Sequence, residues 1–139
     1  MPTSDDIVCR IARGELPADV VCRTDDALAF LDHSPVFYGH TLVCPLRHVA
    51  TLPELRPEEL EPLFSLAQRV AQAMVDGLGA QGSFVGINNT VSQSIPHLHV
   101  HVIPRTKGDG LRGFFWPRRR YEPGQATAYA ERLRTALGA

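Results

Sequence analysis

The chain has 139 residues, of which 44% are hydrophobic and 21% charged, with a formal net charge of −1 at pH 7. This length and composition are typical of one globular domain that can bury a core of its own. The small net charge gives no reason to expect nucleic-acid or membrane binding, and no apolar run is long enough to span a bilayer.

The cysteines and the N-terminal stretch bear on the cellular compartment. Cys9, Cys22 and Cys44 cannot all pair with one another and form no CxxC motif, which argues against a disulfide scaffold. The first residues include early acids and no long apolar run, which argues against a secretory signal. We therefore expect the protein in a reducing cytoplasm.

The first predicted elements are a short helix and three strands. The stretch "SDDIVCRIARGELP" predicts a helix that is capped by Ser4 and stopped by Gly14 and Pro17. The runs "DVVCRT" and "ALAFLD" predict a hairpin around a tight Asp-Asp turn, and "YGHTLVCP" predicts a third strand.

The hydrophobic period then changes to that of a helix. Apolar residues at i, i+3, i+4 and i+7 spacing, from Leu60 to Val75, predict a long helix from Pro57 to Leu78. "SFVGINN" and "LHVHVIP" predict two more strands, and a short helix is expected over 126–137. The sum is an α+β domain with an antiparallel sheet of about five strands, one long helix and a short N-terminal helix. We predict a single domain over 1–139, with a core of 1–104 and a C-terminal tail and short helix over 105–139.

Three histidines alternate with apolar residues in the stretch "SIPHLHVHVIPR". Alternate side chains of a strand share a face and lie about 6.5–7 Å apart. The pattern therefore predicts that His97, His99 and His101 point to one side while the intervening residues point into the core. A merely polar solvent face would also carry Thr, Lys or Glu, and this one carries none.

Two kinds of chemistry use such a row of imidazoles. Two or three of them are good ligands for zinc. Alternatively, one imidazole attacks an electrophile while its neighbours supply protons and hydrogen bonds. The preceding loop "NNTVSQS" supplies amide and hydroxyl donors that suit phosphate oxygens without adding a charge. This loop favours phosphoryl chemistry.

The sequence resembles the histidine triad (HIT) superfamily over most of residues 5–105. "HLHVHVI" resembles the superfamily's signature of histidines alternating with apolar residues. "ALAFLDHSPVFYGHTLVCPLRHV" and the pair "GINN" and "SQSIPHLHVHVIPR" resemble its two nucleotide-binding segments. The resemblance implies hydrolysis at the α-phosphorus of purine nucleoside phosphoramidates or dinucleoside polyphosphates. A nucleotidyl-histidine intermediate would release a nucleoside monophosphate, with no cofactor required for catalysis.

The resemblance also implies catalytic roles for individual residues. His99 matches the nucleophile, His101 a residue that contacts phosphate, and His97 a residue that supports the geometry. Either Ser94 or His101 would deliver a proton to the leaving group.

Further positions match the superfamily's nucleotide contacts. Asp32 falls where a carboxylate accepts hydrogen bonds from both ribose hydroxyls, which would select ribonucleosides. Phe30 and His33 would line the base pocket. Asn88 and Gln93, together with Ser94, His99 and His101, match contacts to phosphate or the leaving group.

One departure from the superfamily concerns a structural zinc site. Many bacterial members carry a CxxC motif that binds zinc together with two histidines, and here Asp6 stands where the first cysteine would be. The implied ligands are Asp6, Cys9, His48 and His97, since carboxylate oxygen also binds zinc. In the alternative reading, Asp6 stabilises a helix N-terminus and Cys9 is a buried apolar residue.

The tail combines basic and aromatic residues. Residues 105–120 hold six of the chain's fourteen Lys and Arg residues. They form either a solvated loop or a positive rim that attracts the distal phosphates of a polyphosphate. "GFFWP" would expose too much aromatic area for a free loop. The resemblance implies that this segment crosses to the other subunit of a two-fold homodimer, where Trp116 would contact the nucleotide.

Two other functions remain open on the sequence. A nucleotidyltransferase or phosphorylase would use the same intermediate with a different acceptor. A non-catalytic nucleotide-binding regulator would keep the pocket without turnover. In each case the partners are a purine nucleotide and a second copy of the chain, with no nucleic acid or membrane.

Overall fold

The computed structural model describes residues 5–111 and 118–138. The chain divides into two compact units, Met1–Asp109 and Gly110–Ala139. The elements of the first unit are α1 (Ile7–Ala12), β1 (Val20–Arg23), β2 (Ala27–Leu31), β3 (Thr41–Pro45), a 3-10 turn (Leu52–Glu54), α2 (Pro57–Leu78), β4 (Gly82–Gly86) and β5 (Val100–Arg105). The second unit contains α3 (Gln125–Leu137), which begins one residue before the predicted start.

The five strands form one antiparallel sheet in the order β1-β2-β3-β5-β4. This confirms the predicted α+β class, the strand number and the hairpin of β1 with β2. Among the described residues, no helix has both the length and the apolar character needed to cross a membrane.

The central strands are buried on both faces, because successive side chains alternate between two cores. On β3, Val43 packs in the core that also contains the buried residues of α2. Its neighbours Leu42 and Cys44 pack in the other core, together with Val8 of α1. Helix α1 therefore covers the face of the sheet opposite α2.

The long helix has the predicted bounds. Pro57 occupies its first turn, and Gly79 ends it in the left-handed conformation with φ +69°. The buried stripe is narrower than predicted, because Leu60, Phe64 and Val75 remain 37–41% exposed.

The predicted cap of the first helix is wrong. Asp6 is the N-cap, and its Oδ1 accepts a hydrogen bond from the backbone N–H of Cys9 at 2.8 Å. This is the usual bond from an N-cap side chain to the third helical residue. Ser4 lies outside the described residues.

The histidine row differs from the prediction in one respect. β5 begins at Val100, so only His101 lies within the strand, while His97 and His99 precede it. The row is not a polar solvent face, because His97 is 0% and His99 3% exposed. Contacts to Asp6 and Cys9 at the start of α1 cover His97. Leu98, Val100 and Val102 are fully buried, as predicted.

Candidate active site

A cleft of about 400 Å³ opens beside the triad. Six of the predicted site residues line it: Phe30, Asp32, His33, Ser94, His99 and His101. Its other lining residues are Ile7, Ser34, Leu42 and Ile95, which the sequence reasoning did not name. The size is within the range of small-molecule sites.

The middle histidine has a defined hydrogen-bonding pattern. His99 Nδ1 lies 2.8 Å from the backbone oxygen of His97. A carbonyl oxygen only accepts, so Nδ1 must carry the hydrogen and donate it. In the neutral ring Nε2 is then left with its lone pair, the form that an attacking imidazole requires.

The third histidine is held by another imidazole. His101 Nδ1 lies 2.9 Å from Nε2 of His40, a buried residue immediately before β3. The His101 ring also stands edge-on to that of His99, with centroids 4.9 Å apart. Burial, followed by the neighbouring charges of His99 and His40, lowers the pKa of His101 to about 4. His101 is therefore neutral at pH 7.

Asp32 follows β2 directly and keeps acceptor capacity toward the cleft. Its Oδ1 accepts the backbone N–H of Ser34 at 2.9 Å. Its Oδ2 lies 3.7 Å from His40 Nε2, and the side chain is 20% exposed. A carboxylate offers about four lone-pair positions, so Asp32 can accept further hydrogen bonds from a bound ligand.

Gln93 shapes the loop before the triad rather than lining the cleft. Its Nε2 donates to the backbone oxygens of Ala50 at 2.6 Å and Ile95 at 3.0 Å. Its Oε1 accepts the backbone N–H of Thr90 at 2.8 Å. Both amide hydrogens are thereby used within the protein. In this conformation Gln93 holds the loop that carries Ser94 instead of offering a donor to phosphate.

Among the described residues, the other predicted nucleotide contacts do not line the cleft. Asn88 does not line it. The neighbouring Asn89 accepts the backbone N–H of Leu52 at 2.8 Å through its Oδ1. Trp116 lies outside the described residues, so its predicted contact stays a prediction.

A second cluster joins α1 to the triad. Asp6, Cys9, His48 and His97 each point one ligand atom to a common centre, and these atoms lie within 4.8 Å of one another. Asp6 Oδ2 is 2.7 Å from His48 Nδ1 and 3.2 Å from His97 Nδ1. Cys9 Sγ is 3.6 Å from His97 Nδ1.

The donor set fits a tetrahedral metal ion. Ligand atoms about 2.0–2.3 Å from zinc are separated by about 3.3–3.7 Å. The Asp6–His97 and Cys9–His97 distances are close to this range, whereas His48 Nδ1 lies closer to Asp6, at 2.7 Å, and farther from Cys9, at 4.0 Å. His97 Nε2 lies 2.7 Å from the backbone oxygen of Pro45, so Nε2 donates and Nδ1 of the neutral ring is left as an acceptor. That lone pair faces the carboxylate of Asp6, an arrangement that requires a proton or a metal ion between them. The cap function of Asp6 uses the other oxygen.

Comparison with known proteins gives one family and several relatives. The HIT domain model matches residues 13–108. A bis(5'-nucleosyl)-tetraphosphatase [asymmetrical] from Schizosaccharomyces pombe is 40% identical over 94 residues, which are 66% of this chain and 52% of that protein. The chain thus aligns with only about half the length of that relative.

Two further matches extend over nearly all of both chains. An adenosine 5'-monophosphoramidase from Schizosaccharomyces pombe is 31% identical over 133 residues, covering 94% of this chain and 97% of that protein. The crystal structure of a zinc-bound histidine triad family protein from Mycobacterium smegmatis has 31% identity and a TM-score of 0.75. It covers 97% of this chain and 99% of that one.

Proposed function

The chain belongs to the histidine triad (HIT) family, and on this premise we propose that it is a nucleotide hydrolase acting at the α-phosphorus of a purine nucleotide. The observation that carries the proposal is the hydrogen bond from His99 Nδ1 to the backbone oxygen of His97. In the neutral ring this bond leaves Nε2 with its lone pair, and the ring lines the cleft. The names of two relatives, a tetraphosphatase and a phosphoramidase, support the same class of reaction.

In the first step His99 Nε2 attacks the α-phosphorus. A bond forms between Nε2 and phosphorus, and the bond from phosphorus to the leaving amine or nucleotide breaks. The leaving group takes up a proton from solvent, delivered through Ser94 or His101. The carbonyl of His97 stabilises the positive charge that develops on the imidazole, because it already accepts the Nδ1 hydrogen.

In the second step water hydrolyses the nucleotidyl-histidine. The oxygen of water bonds to phosphorus and loses a proton to solvent, while the bond from phosphorus to Nε2 breaks and its electron pair returns to Nε2. A nucleoside monophosphate leaves and His99 is again neutral. Asp32 holds the ribose by accepting from its two hydroxyls, which keeps the phosphorus beside His99 through both steps. Phe30 and His33 also line the cleft and would contact the base.

The substrates that suit this site are nucleoside phosphoramidates or dinucleoside polyphosphates. The cleft lining contains no lysine or arginine among the described residues. The phosphoryl oxygens therefore rely on neutral donors such as His101. The basic residues at 118–120 belong to the other compact unit, and their attraction of a polyphosphate stays a prediction.

We also propose a structural zinc ion on Asp6, Cys9, His48 and His97. The zinc-bound relative supports this proposal, as does the position of the four ligand atoms within 4.8 Å of one another. When bound, the ion would supply a cross-link and no reactive group. His97 is the residue whose carbonyl orients His99, so the ligands hold the start of α1 against the part of the chain that aligns the nucleophile.

The assembly and the compartment are further proposals. Strand β4 lies at one edge of the sheet, and an edge strand has backbone groups that can pair with a second copy. A homodimer formed in this way, in the cytoplasm, agrees with the sequence predictions. Sedimentation of the purified protein tests the oligomeric state.

A panel assay tests the function and separates it from the alternatives. Adenosine phosphoramidate, diadenosine tri- and tetraphosphate and adenosine phosphosulfate are supplied with and without inorganic phosphate. We expect AMP as product; ADP formed only with added phosphate would indicate a phosphorylase. His99→Ala should abolish turnover while calorimetry still detects AMP binding. Wild-type protein that binds AMP but turns over none of the panel would instead indicate a regulator.

A further inference from the structure

His40, which no motif of the sequence singles out, lies between the ribose-binding carboxylate and the triad. The residue is 3% exposed and immediately precedes β3. In the sheet, Leu42 pairs with His101. His40 is two residues from Leu42, so it lies on the same face of the strand and diagonally beside His101.

The backbone determines which nitrogen of His40 carries the hydrogen. The N–H of Val36 points at Nδ1 of His40 across 3.1 Å. A backbone N–H can only donate, so Nδ1 must be the acceptor. In a neutral imidazole the hydrogen then lies on Nε2.

The hydrogen on Nε2 of His40 in turn determines which nitrogen of His101 carries a hydrogen. Nε2–H of His40 is 2.9 Å from Nδ1 of His101, whereas Oδ2 of Asp32 is 3.7 Å away. Only the shorter distance is that of a hydrogen bond. Nδ1 of His101 therefore accepts, and the hydrogen of that ring lies on Nε2. The direction of donation runs without a break from Val36 through His40 to His101.

The charge of the two rings agrees with this arrangement. Burial is the largest effect on each, and it lowers the pKa of both His40 and His101. For His40 the carboxylate of Asp32 acts in the opposite direction and His99 in the same direction. Two neutral rings with one hydrogen between them form a normal donor–acceptor pair.

A metal ion is the rival occupant of this position. Asp32, His40 and His101 offer ligand atoms that lie within 4.8 Å of one another. An ion on Nε2 of His40 would move the hydrogen of that ring to Nδ1. Two donors, Nδ1–H and the N–H of Val36, would then face each other across 3.1 Å. The hydrogen-bonded pair avoids this conflict.

We propose that His40 is a positioning residue that fixes the tautomer and ring orientation of His101, so that His101 presents Nε2–H to a phosphoryl oxygen in the cleft. The proposal rests on the proposed function, because it assigns a part in the same site. Phosphoryl oxygens accept hydrogen bonds, so a His101 ring with its lone pair turned to the substrate would repel them. His40 prevents that orientation by keeping Nδ1 of His101 engaged.

Nitrogen NMR of the protein with isotope-labelled histidine tests the assignment directly. Nitrogens that carry hydrogen and nitrogens that carry a lone pair resonate in separate regions. We expect Nδ1 to be unprotonated and Nε2 protonated on both His40 and His101 in the free wild-type protein. A hydrogen on Nδ1 of His101 would overturn the proposal whatever the activity of the protein. If no substrate of the panel is hydrolysed, this spectrum still decides the role of His40, so the two failures are distinguishable.

A pair of variants tests the consequence for catalysis. His40→Gln places an amide N–H near the position of Nε2 and keeps a donor for His101, whereas the shorter His40→Asn does not reach it. We expect His40→Gln to retain most of kcat. His40→Asn should lose about 10- to 100-fold in kcat, by analogy with the loss seen when the partner that orients a metal-binding imidazole is removed, with a smaller change in KM. Equal kcat values for His40→Asn and wild type would refute the role, and thermal melts check that both variants fold.

Discussion

Replacing Asp32 by asparagine should reduce the selectivity of the protein for ribose. Asp32 Oδ1 already accepts the N–H of Ser34, and the amide oxygen of asparagine can take over that bond. The amide nitrogen then replaces Oδ2, so a donor faces the ribose hydroxyls in place of a charged acceptor. A hydrogen bond to a charged group contributes about 1.5–3 kcal/mol. We therefore expect kcat/KM for a ribonucleotide to fall roughly 10- to 150-fold.

The assay compares adenosine phosphoramidate with its 2′-deoxy analogue. The analogue lacks one of the two hydroxyls, so Asp32→Asn should affect it less. Asp25→Asn, an exposed carboxylate in the turn between β1 and β2, is the matched control and should change neither substrate. Equal losses for both sugars would mean that Asp32 does not contact the ribose, and the assignment of the cleft would fail.

Three further predictions concern stability and metal binding. Gly39→Ala should lower the free energy of unfolding, measured by chemical denaturation, by about 1–3 kcal/mol, because φ at Gly39 is +102°. Gly77→Ala in α2 is the control, and it should not destabilise the protein because a Cβ there meets nothing within 4 Å. Asp6→Cys should increase the amount of zinc retained after dialysis and the rise in Tm that zinc causes, whereas Cys9→Ser should decrease both. If neither variant changes the metal content, the site is ruled out. The pKa of His101 is about 4 in the fold against an ordinary 6.5, so the unfolded chain binds the proton first as pH falls. The free energy of unfolding should therefore decrease from pH 6.5 to pH 4, with a smaller decrease in His101→Gln.

The elements with strong periodic patterns could be predicted from the sequence. The apolar spacing of α2 predicted the observed bounds Pro57–Leu78, although the pattern alone left the terminating glycine open between Gly77 and Gly79 and the structure identifies Gly79. The cap of α1 was predicted wrongly because Ser4 and Asp6 are both good caps. The choice between them depends on contacts of Asp6 with His48 and His97, which are distant in sequence.

The same distinction between local patterns and contacts distant in sequence applies to the candidate site. Asp32, Ser94, His99 and His101 were predicted from local motifs, and the fold brings these four side chains to one cleft. The position of His40 beside His101 depends on the register of β3 with β5, which no local pattern reveals. The amide of Gln93 suits phosphate by residue type, but the backbone oxygens of Ala50 and Ile95 take its hydrogens.

The most direct test of the account is to isolate the covalent intermediate. The protein is mixed rapidly with a hydrolysed substrate, quenched in alkali, in which a phosphorus–imidazole bond survives, and digested for mass spectrometry. We predict one nucleoside monophosphate group attached to the peptide that contains His99, with fragmentation locating it on that residue and not on His97 or His101. Turnover with no adduct at any time, or an adduct on another residue, would contradict the assignment of His99 as the nucleophile.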